Sequence, residues 1–197
     1  EIARALVGTS LRFLQHTDVH VGPDSDWPWH RDCVNSSYGV GPDWEESEET
    51  YRLLRVGLYL QRAPYILGVL PGTHRLASEA EKKDRRRLER SSALLAQITR
   101  RKQHEDRRIR ARWLRLGSGD AVFFDPKLLH TGQTTQGPRY SVFVSYGVAN
   151  GHFLRHRNHY RWVRKDLRYG DISLELMGRL RQTGLYARLP PLGPFKE

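Results

Sequence analysis

The chain has 197 residues, 38% of them hydrophobic, enough to bury a core without staples and too apolar for a disordered chain. Its single cysteine, Cys33, excludes an intrachain disulfide, and it shows neither a charged-then-apolar leader nor an 18-residue apolar run. The expectation is one domain over 1–197 in a reducing cytoplasm, with no membrane partner. The net charge of +11 has the look of a nucleic-acid binder, but residues 82–115 hold 14 Lys and Arg against 4 Asp and Glu, while the remainder holds 19 against 18. The basicity belongs to one segment, and nucleic acid is not the expected partner.

In chain order, strands are expected at 11–21, near 29–34, and at 54–61, 65–70, 110–116, Ala121–Phe124, 127–131 and Arg139–Val148, with turns marked at Gly22, Pro71, Gly117 and Gly137. Alternation is clearest at Arg139–Val148: Tyr140, Val142, Val144, Tyr146 and Val148 point one way and Arg139, Ser141 and Phe143 the other. In 54–61, Leu54, Val56, Leu58 and Leu60 share a face opposite Arg55, Gly57, Tyr59 and Gln61. Polar groups on an inward face predict a lumen that holds a ligand. Eight short strands with turn signals predict a mainly β, jelly-roll-like core over about 11–148, with flanking helices. Residues 78–108 have a helical composition and are expected to form a basic insert, a helical or partly mobile excursion from that core; after Asn150 the pattern is helical through 174–185 and ends at Pro190 and Pro191.

Three His-x-Asp runs occur, His16–Asp18, His30–Asp32 and His104–Asp106, and context separates them. The third sits in the cationic insert, where neighbouring arginines oppose a divalent ion; it reads as a solvated helix face. The first alternates so that His16, Asp18 and His20 share a side, either as lumen lining, as a hydrogen-bonded edge, or as the metal pair of a cupin-like enzyme. His30 and Asp32 lie where a strand runs into a loop, and His130 follows a turn-strand-turn. Two imidazoles and a carboxylate of this kind leave one face of an Fe(II) ion open for a co-substrate and O2. Nine residues on, Arg139 with Ser141 offers a bidentate cation and a hydroxyl to a carboxylate.

Trp-His-Arg-Asp at 29–32, the strand at 54–61, Leu-Pro-Gly-Thr-His-Arg at 70–75, Gly-Asp-Ala-Val-Phe-Phe at 119–124, His130, Arg139 and Ser141 together, in this order and spacing, resemble the phytanoyl-CoA dioxygenase family of Fe(II)/2-oxoglutarate-dependent oxygenases. The resemblance covers about 11–148. It implies a double-stranded β-helix (jelly-roll, cupin-like), iron on His30, Asp32 and His130, and the distal carboxylate of 2-oxoglutarate on Arg139 and Ser141 with help from Tyr59. It further implies oxidation of a small-molecule substrate with release of succinate and CO2, by hydroxylation, desaturation or ring formation, hydroxylation being the expectation. Separately, the concentrated positive charge of the insert is expected to attract an anionic or carrier-bound substrate. Trp27, Trp29, Arg55, Arg62 and the segment 152–160 are candidates for the substrate entrance, each with an ordinary packing or surface role as the alternative. Asp32 speaks against a halogenase, which leaves that position to chloride. Two departures from longer members are the lack of a helical segment before the first strand and the arginine-rich insert; no acyl-CoA signature is present. The competing reading is a non-catalytic jelly-roll module that grips a polyanion or nucleic acid through the insert, against which Trp113 is the only aromatic in 82–115.

Overall fold

The computed structural model describes residues 1–22, 29–32, 50–62, 65–75, 111–134, 137–162 and 172–188. Two antiparallel sheets face each other. The larger runs in the order β1 (Leu11–Gly22), β7 (Arg139–Val148), β2 (Leu53–Tyr59), β5 (Ala121–Phe124); the smaller runs β4 (Arg112–Leu116), β3 (Tyr65–Val69), β6 (His130–Thr134). Neighbours in each sheet are distant in sequence, and the fold is the mainly β, double-stranded β-helix expected. Helix α1 (Ile2–Val7) contacts β1, β2 and β7, α2 (Gly151–Trp162) lies against β1, and α3 (Leu174–Gln182) follows. Among the described residues no helix is long and apolar enough to cross a membrane.

Strand β7 carries the architecture. Arg139, Ser141, Phe143, Ser145 and Gly147 are buried, whereas Tyr140, Val142, Val144, Tyr146 and Val148 are half-buried or exposed, so the face with the polar groups is the inner one. Strand β2 pairs with it, Tyr59 opposite Ser141 and Arg55 opposite Ser145, and one further bond from Leu60 N–H to Tyr140 O (2.8 Å) carries that register on towards Gln61 and Arg139. Leu58 and Leu60 face solvent while Tyr59 and Gln61 are buried, which is the alternation the sequence predicts. A Cβ at Gly57 would come within 2.7 Å of the Phe143 ring, so glycine lets that ring lie over β2. The core between the sheets consists of Tyr59, Tyr65, Leu67, Val69, Leu116, Phe124 and Phe143; Leu14, Leu53 and Phe153 form a second cluster where α2 meets the strands.

Three expectations change. A helix does precede the first strand: α1 spans six residues, too few for an amphipathic period to show, and stops at Gly8 with φ 108°. The strand expected at 127–131 begins only at His130, because Asp125 bends the chain: its carbonyl accepts from Leu128 N–H and its carboxylate from Lys127 N–H, both at 2.8 Å. Of the strand expected near 29–34, the described residues 29–32 form no ladder, His30 making a single bridge to His130, and 33–34 lie outside the described residues. Strand β1 slips by two residues against β7 between Leu14 and Thr17, which leaves its parity unchanged, so Leu14, His16, Asp18 and His20 share the inner side, as alternation predicts for the last three. The insert at 78–108 and Trp27 also lie outside the described residues.

Candidate metal and co-substrate site

The bridge between His30 and His130 assembles the site. Each residue's N–H donates to the other's carbonyl, at 2.9 and 3.0 Å, which sets the two imidazoles side by side with ring centroids 4.3 Å apart. Asp32 is held two residues on by its N–H bond to Pro126 O at 2.9 Å. Its Oδ1 then lies 3.6 Å from His30 Nε2 and its Oδ2 3.7 Å from His130 Nε2. All three donor atoms fall within 4.8 Å of one another, and among the described residues this is the group of His, Cys, Asp or Glu so arranged. His130 Nδ1–H donates to Leu128 O at 2.9 Å, which leaves the Nε2 lone pair facing Asp32, the tautomer a metal ligand needs.

Burial pushes the His130 imidazole down to about 4, so it stays neutral across the physiological range. For Asp32 burial acts upward, but His130 and Arg55 beside it overcome that and hold the carboxyl well below the usual carboxylate range. Two imidazoles and one carboxylate suit Fe(II). His30 is 31% exposed against 8% for His130, so the cluster opens to solvent on the His30 side.

On the same inner surface Arg139 Nε donates to Ser141 Oγ at 2.8 Å, and the guanidinium stacks on Tyr65, 4.3 Å from its centroid. The bond uses Ser141 as acceptor and leaves its hydroxyl proton to be donated. Beside them, Tyr59 Oη and both amide atoms of Gln61 are buried without a hydrogen-bond partner among the described residues. Buried polar atoms are normally satisfied, and a pair of orphans flanking a cation marks where a polar ligand fits. A carboxylate would accept from Tyr59, Gln61, Ser141 and Arg139 together. The Phe143 ring separates this end from Arg55, whose guanidinium, like that of Arg139, lies 5.3 Å from the Phe143 centroid.

The sequence candidates therefore divide. His30, Asp32 and His130 converge, as do Arg139, Ser141 and Tyr59. Trp29 packs edge-on against Trp113, at 5.9 Å, over Leu70, Leu129 and Ala111. Arg55, expected at the entrance, is buried beside Asp32 and Asp18. Gln61 was placed on the inward face by alternation but given no role; its polarity at a buried position was the available signal.

His16 and Asp18 form a different assembly. Asp18 Oδ2 is 3.2 Å from His16 Nε2 and takes that N–H, so Nδ1 accepts from His156 Nε2–H at 2.9 Å. The ring stacks on Tyr160 at 3.5 Å, and Tyr160 Oη donates to Asp32 O at 3.4 Å. Burial, then Arg55, lower His16 from 6.5 to about 4, against the pull of Asp18. Because the unfolded chain takes up this proton and the folded one does not, stability present above about pH 6.5 is lost as pH falls towards 4. His16 alone should cost about 2 kcal/mol between pH 7 and pH 5. Urea denaturation of the metal-free protein at these two pH values checks this: His16→Gln is expected to flatten the slope, and an unchanged slope refutes it.

The family model described as Phytanoyl-CoA dioxygenase (PhyH) matches residues 3–141, more than two thirds of the chain and all six converging residues. The chain belongs to the phytanoyl-CoA dioxygenase family. The members of that family are Fe(II)- and 2-oxoglutarate-dependent oxygenases, and the donor set and orphaned polar atoms of this chain fit both groups. No curated protein matches the chain. Among solved structures it is similar to EctD from S. alaskensis, crystallised with 2-oxoglutarate and 5-hydroxyectoine, at 21% identity, covering 75% of this chain and 48% of that one with a TM-score of 0.47. Two proteins of nogalamycin biosynthesis are also similar. The epimerase SnoN is 16% identical, covering 75% and 54% with a TM-score of 0.47; the carbocyclase SnoK is 18% identical, covering 79% and 61% with a TM-score of 0.46. The chain spans about half the length of these solved relatives.

Proposed function

We propose that this chain is an Fe(II)- and 2-oxoglutarate-dependent oxygenase that hydroxylates a small-molecule substrate in the cytoplasm. The observation that carries the reading is the convergence of His30, Asp32 and His130 within 4.8 Å beside a wall of buried carboxylate donors. Iron, 2-oxoglutarate and O2 supply the oxidising chemistry, which consumes the 2-oxoacid to succinate and CO2 and places one oxygen atom in the substrate.

The residues of the chain bind and orient. His30, Asp32 and His130 would hold the iron, and a set of three protein ligands would leave coordination positions for co-substrate and O2. Arg139 and Ser141, with Tyr59 and Gln61, take the distal carboxylate of 2-oxoglutarate. Phe143, Tyr65 and Phe124 keep that end dry, which strengthens each charged hydrogen bond within it. The carboxyl of Asp32, held ionised, and the imidazole of His130, held neutral, present ligands without losing a proton first. The concentration of Lys and Arg at 82–115 favours an anionic or carrier-bound substrate, drawn in by long-range attraction.

Adding 2-oxoglutarate to the anaerobic Fe(II) protein is expected to produce a charge-transfer absorption band, and admitting O2 to yield succinate slowly even without substrate. Protein that shows neither band nor succinate, yet binds a polyanion in a salt-sensitive way, would favour the non-catalytic module instead.

A further inference from the structure

The run His16–Asp18 supplies no ligand to the candidate metal site, yet it is joined to that site through Arg55. The Arg55 guanidinium has three partners on β1 and β7: Nη2 bonds Asp18 Oδ2, and Nη1 donates to Ser145 Oγ at 2.9 Å and to His16 O at 3.2 Å. Its Nε lies 3.3 Å from Asp32 Oδ2, near enough to attract but without the direction of a hydrogen bond. Left to itself, a buried arginine beside a carboxylate forms a two-pronged fork and occupies both oxygens. Here Asp18 takes one prong and Ser145 another, so Asp32 feels the charge and keeps its lone pairs.

We propose that Asp18 and Arg55 are a positioning pair for Asp32: Asp18 holds the guanidinium where it fixes the Asp32 carboxylate without competing with the metal for it. The charges support this. Asp18 and Asp32 against Arg55 leave a single negative charge for a divalent ion; without Asp18 the remaining pair is neutral and Arg55 is released onto Asp32. Groups outside the ligand set that orient the ligands are commonly worth about 10- to 100-fold in metal affinity. The role also accounts for a buried ion pair that contributes little to stability for its own sake. The inference rests on the reading of His30, Asp32 and His130 as the metal ligands.

The test is titration of the full, metal-free chain with Co(II), following both affinity and the visible d–d absorption. Asp18→Asn is expected to weaken Co(II) about 10- to 100-fold and to alter the spectrum. The double variant Asp18→Asn/Arg55→Gln, which removes the competitor together with its restraint, is expected to bind Co(II) more tightly than Asp18→Asn but more weakly than the parent, since nothing then fixes Asp32. Arg55→Lys, a point charge that cannot bridge both carboxylates, is expected to weaken Co(II) as well. Affinity and spectrum unchanged in folded Asp18→Asn or Arg55→Lys overturn the proposal, as does a double variant no better than Asp18→Asn. A variant that loses thermal stability alone, with Co(II) affinity intact, marks the pair as structural and overturns it too. His130→Ala separates the levels: if it binds Co(II) like the parent, the ligand assignment fails and this inference with it. If it loses Co(II) while Asp18→Asn keeps it, only the positioning role fails.

Discussion

His130→Ala is expected to abolish Fe(II) binding and 2-oxoglutarate turnover while leaving the protein folded, and Asp32→Ala and His30→Ala are expected to do the same. A facial set of three has no spare member, and loss of a ligand should exceed the roughly 10- to 100-fold cost of losing a group that merely orients one. The fold should survive because the backbone bonds between His30 and His130 do not involve the imidazoles. Removing the His130 ring opens a void beside Phe124, 4.9 Å away by ring centroids, so a few degrees of lost melting temperature are expected with a native circular-dichroism spectrum. Iron content after reconstitution and dialysis decides the matter: full occupancy in any two of the three variants would sink the assignment.

How much of this was visible before folding depended on which force set each position. Alternation in β7 and β2 was legible because strand geometry forces side chains to opposite faces, and a polar residue between apolar ones keeps its face wherever the chain goes. That rule placed Arg139, Ser141, Tyr59 and Gln61 inside correctly. It said nothing of what each would meet there, so Gln61 carried no role and Arg55 was sent to an entrance. The partners of Arg55, Asp18 and Asp32, lie on segments 37 and 23 positions earlier, and only the pairing of β2 with β7 and of β7 with β1 brings Asp18 to it. The start of β6 was misplaced for the opposite reason: an Asx turn at Asp125, purely local, outweighed the apolar run at Leu128 and Leu129. The choice among three His-x-Asp runs needed the second histidine. His30 finds it through a single bridge that no periodicity announces.

Arg139→Ala is expected to raise the 2-oxoglutarate requirement while leaving Fe(II) affinity close to that of the parent. Arg139 is 4% exposed, and its charge is directed along the inner wall by the bond to Ser141 and the stack on Tyr65. Truncating one partner of a buried, hydrogen-bonded charge pair costs about 2–5 kcal/mol, or roughly 30- to several-thousand-fold in affinity. Iron should be nearly indifferent, since His30, Asp32 and His130 do not rely on Arg139 for position. Arg139→Lys should recover only part of the loss, because an ammonium keeps the charge but gives up the planar two-pronged contact. Anaerobic titration of the Fe(II) protein with 2-oxoglutarate, read by the charge-transfer band, measures the effect directly. An unchanged titration in Arg139→Ala would mean that this arginine serves only to pack Tyr65 against Phe143, and the carboxylate seat would have to be sought elsewhere on the wall. Weakened iron binding in step with 2-oxoglutarate would instead point to general loosening of β7, since a residue that acts only on the distal carboxylate has no route to the ligands.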